Sequence, residues 1–149
     1  MAIPEVGLVE NGVHIFPVRV YFEDTDSGGL VYYANYLKYA ERARTELLRC
    51  VGYPHANMMS DDGLVFAVRS CEVDYFKPAY LDDALAVYSG NVEIKSASLW
   101  IEQIIKREAN EIAKILVRLA CVGEAGKPIR LPNNLRDALS PLLAFKNSK

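Results

Sequence analysis

The stretch that decides the fold is YFEDTDSGGLVYYANYLKYAERARTELLR, residues 21–49. It opens with an acidic loop that ends in two glycines, and it continues as a helical pattern from about Val31 to Val51. Seven residues of this pattern recur at helical spacing and predict one apolar stripe: Tyr33, Tyr36, Leu37, Ala40, Ala43, Leu47 and Val51. The small Ala40 and Ala43 allow such a helix to lie close against a sheet.

Strand patterns lie on both sides of this helix. Before it, alternating apolar residues predict a strand over His14–Phe22, in which Pro17 is expected at a strand start or on an edge. After it, the chain shows four more strand patterns: Leu64–Phe76, Ala84–Ile94, Ser98–Arg107 and Ile112–Val122. A short final helix is expected after Pro132-Asn133-Asn134. One long helix and about five strands predict an α+β domain, in which a largely antiparallel sheet wraps the helix.

Composition and charge narrow the class of protein. A length of 149 residues predicts one domain over residues 1–149, and 51% apolar residues can fill its core. The net charge of −2 comes without the basic stripe that is typical of nucleic-acid binding. No apolar run is long enough to span a membrane, and the first residues do not form a secretory signal. Three cysteines without a C-x-x-C pair predict neither a metal site nor a disulfide framework, which favours the reducing cytoplasm.

The acidic loop is the place where the sequence suggests chemistry. Glu23, Asp24 and Asp26 lie within four residues, just before the predicted helix. Free N–H groups at a helix N-terminus can stabilise a developing oxyanion, so the loop and the helix start combine the minimum equipment for acyl transfer. The alternative is that the aspartates only cap or form the turn. The two histidines, His14 and His55, are isolated in sequence and suggest no local triad.

Residues Tyr21–Arg49 closely resemble the signature of the 4-hydroxybenzoyl-CoA thioesterase family, and above all its branch of Tol–Pal-associated acyl-CoA thioesterases. The stretch VDYFKPA, residues 73–79, resembles the same branch, and the order of elements matches its hot-dog fold. The likeness covers roughly Val18–Pro132. It implies hydrolysis of an acyl-CoA thioester to a carboxylate and free CoA, with no metal and no organic cofactor.

The resemblance also implies roles for single residues. Asp26, the second aspartate of the D-T-D triplet, is expected as nucleophile or general base, and the backbone N–H of Tyr33 as the oxyanion donor. Many members of the branch have histidine in place of Tyr33, so its hydroxyl either contributes a contact or belongs to a core aromatic. Four residues are candidates for binding CoA, with solvated surface residues as the alternative: Lys95, Ser98, Lys127 and Arg130.

Members of the family are dimers or tetramers with sites at subunit interfaces, so a homodimer or homotetramer is expected. A dimer that joins two sheets would also protect their edges.

The acyl group is expected on CoA, with an acyl-carrier protein as a second carrier to consider. The main rival is a non-catalytic acyl-CoA or acyl-carrier-protein binding module of the same fold. A hydratase needs a histidine paired with an acid near the helix, and neither His14 nor His55 is well placed for that. The intact E-D-T-D loop favours the thioesterase, and the class of acyl group stays open.

Overall fold

The computed structural model describes residues 3–53 and 63–144, so His55 lies outside the described residues. Within these ranges the long helix is α1 (Asn35–Cys50), and a short helix, α2 (Asn133–Ala138), follows the sheet as expected. The same ranges contain six strands: β1 (Leu8–Glu10), β2 (Val13–Arg19), β3 (Val65–Tyr75), β4 (Ala84–Lys95), β5 (Ser98–Arg107) and β6 (Asn110–Val122). No helix in this part of the chain is long and apolar enough to cross a membrane.

The six strands form one antiparallel sheet in the order β1-β2-β4-β5-β6-β3. Strands β4, β5 and β6 are a meander, whereas β3 crosses over to pair with β6 and lies at an edge. Helix α1 packs on one face of this sheet, against β2, β4, β5 and β6. The predicted α+β arrangement of one long helix on an antiparallel sheet is confirmed. The additional strand β1 has only three residues, too few to give an alternating pattern in the sequence.

Both elements that flank the acidic loop are shorter than predicted. Strand β2 ends at Arg19 and not at Phe22, because the Tyr21 N–H donates to Asp24 Oδ2 (2.9 Å) and closes a 3-10 turn. Helix α1 begins at Asn35 and not near Val31. The Val31 N–H donates to the Ala79 carbonyl (2.9 Å), which holds this part of the chain extended.

The buried stripe of α1 differs from the predicted one at its amino end. Tyr36, Ala40, Ala43 and Leu47 are buried as expected, together with Tyr39 and Leu48. The predicted members Tyr33 and Leu37 are instead 60% and 39% exposed. Tyr33 lies in the turn before α1, so it does not continue the helical spacing of the buried stripe.

Pro17 lies at a position of β2 where its missing N–H removes no pairing with β1. Its pairing with Ala86 of β4 is intact, but β1 covers only Val13, His14 and Ile15 on the other side of β2. Pro17 therefore faces an open sheet edge, as predicted.

Candidate active site

The acidic loop is closed at its base by backbone pairs. Thr25 and Val31 form an antiparallel bridge, and the Asp26 N–H donates to the Leu30 carbonyl at 2.8 Å. Gly29 has φ +83°, a conformation that a residue with a side chain rarely adopts. A second bridge, between Leu30 and Tyr80, ties the loop to the segment that follows β3. The position of Asp26 is therefore determined by main-chain geometry.

The Asp26 carboxylate is exposed and held by one of its two oxygens. Its Oδ1 accepts the N–H of Gly28 (2.9 Å) and that of Leu30 (3.2 Å). Within the part of the chain that the structure describes, Oδ2 has no hydrogen-bond donor. Asp26 thus has the geometry of a turn residue, yet it presents an oriented carboxylate oxygen to the outside.

Asp24 has a different position in the same loop. It is 6% exposed, and its Oδ2 accepts the Tyr21 N–H. Its carbonyl oxygen accepts both the Tyr32 N–H (2.9 Å) and the Nδ2–H of the buried Asn35 (2.7 Å). The capping alternative therefore holds for Asp24, which ties the loop to the first turn of α1.

Tyr33 lies in the turn that leads into α1. The N–H of Asn35 donates to the Tyr32 carbonyl (2.8 Å) and that of Tyr36 to the Tyr33 carbonyl (3.4 Å), whereas the Tyr33 N–H has no acceptor among residues 3–53 and 63–144. Tyr33 is not a core residue, since it is 60% exposed, and its ring packs near the rings of Tyr32 (5.0 Å) and Tyr75 (6.1 Å). A free backbone donor at the helix end can interact with developing negative charge.

Further tyrosines surround the turn at Tyr33, here called the Tyr33 corner, but supply no general base. The Tyr36 hydroxyl accepts the Ala79 N–H (3.1 Å), and the Tyr75 hydroxyl donates to the Tyr33 carbonyl (3.4 Å). Burial raises the pKa of both Tyr36 and Tyr75. Burial, and then the nearby Asp24 carboxylate, raises the pKa of Tyr39. These phenols therefore stay protonated near neutral pH.

The four CoA candidates come together at one end of the sheet. Lys95 and Ser98 are opposite residues of the β4–β5 hairpin. The Leu131 N–H donates to the Ser96 carbonyl (3.0 Å), which brings the neighbouring Arg130 to this hairpin. Lys127 lies in the adjacent turn, where its carbonyl accepts the Gly123 N–H at 2.8 Å. All except the half-buried Ser98 are exposed.

This cluster is remote from Asp26 in the same chain. The acidic loop follows Arg19, which pairs with Ala84 at the first residue of β4, whereas Lys95 is the last residue of that strand. At about 3.3 Å per residue, the two ends of β4 are about 35 Å apart. A single chain therefore does not bring the CoA candidates to the Asp26 loop.

The described residues offer neither a metal site nor a catalytic histidine near the loop. No group of three or more metal-ligating side chains occurs in the described residues. His14 is fully buried in β2, its Nε2 lies 2.7 Å from the Val6 carbonyl oxygen, and burial lowers its pKa. The histidine–acid pair of a hydratase is therefore not formed by His14.

The chain matches the model of the thioesterase-like superfamily over residues 20–139. It belongs to this superfamily. The acyl-CoA thioesterase YbgC of Haemophilus influenzae is 40% identical over 91% of this chain and 99% of the relative. The acyl-CoA thioester hydrolase YbgC of Escherichia coli O6:H1 is 38% identical over 80% of this chain and 90% of the relative.

A solved structure supports the same family. A probable thioesterase from Bartonella henselae is 36% identical, with a TM-score of 0.78 over 80% of this chain and 99% of that one. The predicted hot-dog fold is confirmed, as is the prediction of an enzyme that acts on thioesters. The rival interpretation, a non-catalytic binding module, is thereby set aside.

The sequence analysis missed two polar residues in the core, Gln103 and Ser89. Gln103 is fully buried on β5, between the buried Ile101 and Ile105 of the same face. A polar residue at the core position of an alternating strand was the signal that could have revealed it. It bonds to Arg44 of α1, which also received no role from the sequence.

Proposed function

We propose that this member of the thioesterase-like superfamily hydrolyses acyl-CoA thioesters to a carboxylate and free CoA. The observation that carries the proposal is the exposed, oriented Asp26 carboxylate seven residues before a free N–H at the start of α1. The names of the YbgC relatives, which span nearly the whole chain, support CoA as the carrier of the acyl group.

In this mechanism the Tyr33 N–H stabilises the thioester oxygen. The carbonyl oxygen gains negative charge when the carbonyl carbon is attacked, and a pre-oriented donor then binds it more strongly than in the ground state. The amino end of α1 adds its dipole in the same direction. The Tyr33 hydroxyl is not needed for this step, because the donor is the main chain.

Asp26 then acts in one of two ways. As a nucleophile, its oxygen bonds to the carbonyl carbon, the C–S bond breaks, CoA leaves as thiol after protonation, and water hydrolyses the resulting mixed anhydride. As a general base, Asp26 takes a proton from a water whose oxygen attacks the same carbon, the C–S bond then breaks, and the proton passes to the departing CoA thiolate. After a single turnover in water enriched in heavy oxygen, label in Asp26 itself requires the anhydride, whereas label in the product acid alone arises by either route.

A second copy of the chain is part of the proposal. The edge strand β3 is eleven residues long, and nearly all of its residues are exposed. Its surroundings carry large exposed apolar side chains, with Val68 at 55%, Tyr75 at 45% and Phe76 at 52% exposure. A long apolar edge with unpaired backbone groups is suited to pair with another strand. We infer a homodimer in which two β3 strands pair antiparallel about a two-fold axis, or a homotetramer built from it.

Such a dimer accounts for the distance between Asp26 and the CoA candidates. In an antiparallel pair, the Tyr75 end of one β3 lies beside the Val65 end of the other. Val65 pairs with Val122, which bridges to Pro128 next to Lys127. Pairing would therefore carry the partner's Lys127 toward the Tyr75 and Tyr33 corner. CoA bound there would connect two subunits.

The test is a screen of acyl-CoAs of different chain length, including aromatic ones, with released thiol as readout. The proposed function requires hydrolysis of at least one of them that is lost in Asp26→Asn and retained in Glu23→Gln, an exposed acid of the same loop. Release of thiol from none of the thioesters, at any chain length, would overturn it. Thioesters on an acyl-carrier protein form a second arm, which identifies the carrier.

The proposal also covers the domain organisation, the branch and the cellular location of the protein. Residues 1–149 form a single hot-dog domain, the protein belongs to the Tol–Pal-associated branch, and it works in the cytoplasm. The D-T-D loop and the VDYFKPA stretch support the branch. Fractionation of cells that carry a tagged copy tests the location.

A further inference from the structure

A buried polar row crosses the core beneath α1. Gln103 and Ser89 are both fully buried and lie opposite each other on β5 and β4. Gln103 Nε2 donates to the Ala40 carbonyl (2.9 Å) and to Ser89 Oγ (3.0 Å), and its Oε1 accepts Arg44 Nη1 (2.9 Å). Because Ala40 and Ser89 hold the Nε2 end of the amide, its Oε1 is oriented toward the guanidinium of Arg44.

Arg44 is an incompletely compensated cation. In residues 3–53 and 63–144 no carboxylate lies within ion-pair distance of it, and burial lowers its pKa. Taking a guanidinium out of water costs free energy unless acceptors replace the water. Gln103 supplies one acceptor to the half-buried Arg44, and among the described residues no other protein group accepts from its remaining N–H groups.

A cavity of about 80 Å³ lies at Arg44. Its polar lining consists of Glu41, Arg44 and Thr45 from α1. The rest of its lining is apolar: Leu47, Leu48, Phe66, Val68, Ile101, Leu119 and Leu139. This volume suits the end of an acyl chain and is too small for a whole one, since a water in the liquid occupies about 30 Å³.

The cavity and the Tyr33 corner lie along the same two rows of residues. On α1, helical spacing places Leu37, Glu41 and Arg44 on one flank. On β3, the register with buried residues of β6 defines the helix-side row: Phe66, Val68, Cys71, Val73 and Tyr75. The rows meet at Tyr33 and Tyr75 at one end and at the cavity at the other. At about 1.5 Å per residue, Asn35 at the start of α1 and Arg44 are about 14 Å apart, and Tyr33 lies just before this helix.

We propose that the cavity receives the far end of the acyl chain and that Arg44 and Glu41 select a chain whose end carries a hydroxyl. This rests on the proposed acyl-CoA hydrolysis. A hydroxyl both accepts from Arg44 and donates to the Glu41 carboxylate. A methyl end displaces water from the half-buried Arg44 and the exposed Glu41 without replacing its hydrogen bonds, and a carboxylate end satisfies Arg44 but is repelled by Glu41. Arg44 is a specificity-determining residue in this scheme and takes no part in the chemical step.

The test compares acyl-CoAs of equal chain length that end in a methyl, a hydroxyl or a carboxylate. Because Arg44 lies about 14 Å along α1 from its first residue, chains of roughly six to twelve carbons are compared. For the wild type we expect kcat/KM at least tenfold higher for the hydroxyl end than for the methyl end at the preferred length, the size of a charge-assisted hydrogen bond. The carboxylate end should fall between them.

The matched variants are Arg44→Met and Arg49→Met. Arg49 is on the same helix but exposed and paired with Glu46, so Arg49→Met should keep the wild-type ratio. Arg44→Met should lower the hydroxyl-to-methyl ratio to about one, a loss of about tenfold. If Arg44→Met does not fold, the wild-type ratio alone decides.

The outcomes separate this inference from the proposed function. A wild type that hydrolyses the methyl-ended series and shows no preference for the hydroxyl end overturns the role of the cavity and leaves the thioesterase proposal intact. A folded Arg44→Met protein that keeps the preference overturns the role of the cavity in the same way. A protein that hydrolyses no acyl-CoA overturns both.

Discussion

Replacing Asp26 by asparagine removes the charge of the proposed catalytic carboxylate with little change in shape. The amide oxygen of Asp26→Asn can still accept the N–H groups of Gly28 and Leu30, which Oδ1 accepts at 2.9 and 3.2 Å. Because residue 26 is exposed, we expect the free energy of unfolding to change by less than about 1 kcal/mol. In a chain of this size that is a shift of Tm of only a few degrees, about 2–4 °C at most.

The effect on catalysis should be much larger. An amide is neither a base nor a useful nucleophile, and general-base catalysis alone contributes about 10²–10⁴-fold. Because the turn at Gly28 and Leu30 holds residue 26 in place, no other carboxylate of the loop can take over its position without moving the loop. We therefore expect kcat to fall by about 10³-fold or more, measured as released thiol on the best substrate under saturation.

Asp24→Asn is the matched comparison, because Asp24 is two residues away and bonded through its own carboxylate. It is buried and holds the Tyr21 N–H, so its replacement should lower Tm more than Asp26→Asn does and kcat less. The opposite ranking of the two variants in kcat, or an Asp26→Asn protein within tenfold of wild type, would refute the assignment of Asp26.

Three further predictions concern the oxyanion donor, the assembly and the core. Tyr33→Phe keeps the backbone N–H and should lose less than about tenfold in kcat, and Tyr33→His should stay active; a thousandfold loss in folded Tyr33→Phe would mean that the phenol is essential. Light scattering at micromolar concentration should give a dimer or larger, while a fully active monomer would contradict the interface site. Burial lowers the pKa of His14 below 6.5, so the folded state binds fewer protons than the unfolded one. The part of the stability that depends on neutral His14 should therefore be fully present well above pH 6.5 and be lost as the pH falls below it. A plot of Tm against pH should show this slope in the wild type and a smaller slope in His14→Gln.

The sequence by itself determined the elements and the place of the chemistry. Strand β6 is detected because Ile115, Val117, Leu119 and Cys121 alternate, and all four are buried on one face. The loop at Asp26 is identifiable because acids followed by glycines and a helical pattern form a local feature. Periodicity and turn chemistry extend over a few neighbouring residues, so a sequence can express them without knowledge of the fold.

Only the tertiary structure decided which faces are covered and which distant residues meet. Tyr33 continues the helical stripe in sequence but is exposed, whereas Tyr39 is buried, because α1 begins only at Asn35 and leaves Tyr33 in the preceding turn. Lys95 and its neighbours are plausible CoA contacts by sequence, yet they lie at the end of the sheet opposite to Asp26. The pairing of Arg44 with Gln103 joins residues 59 positions apart. Such contacts depend on strand order and on which edge remains free, and these follow from the packing of the whole chain, which no local pattern encodes.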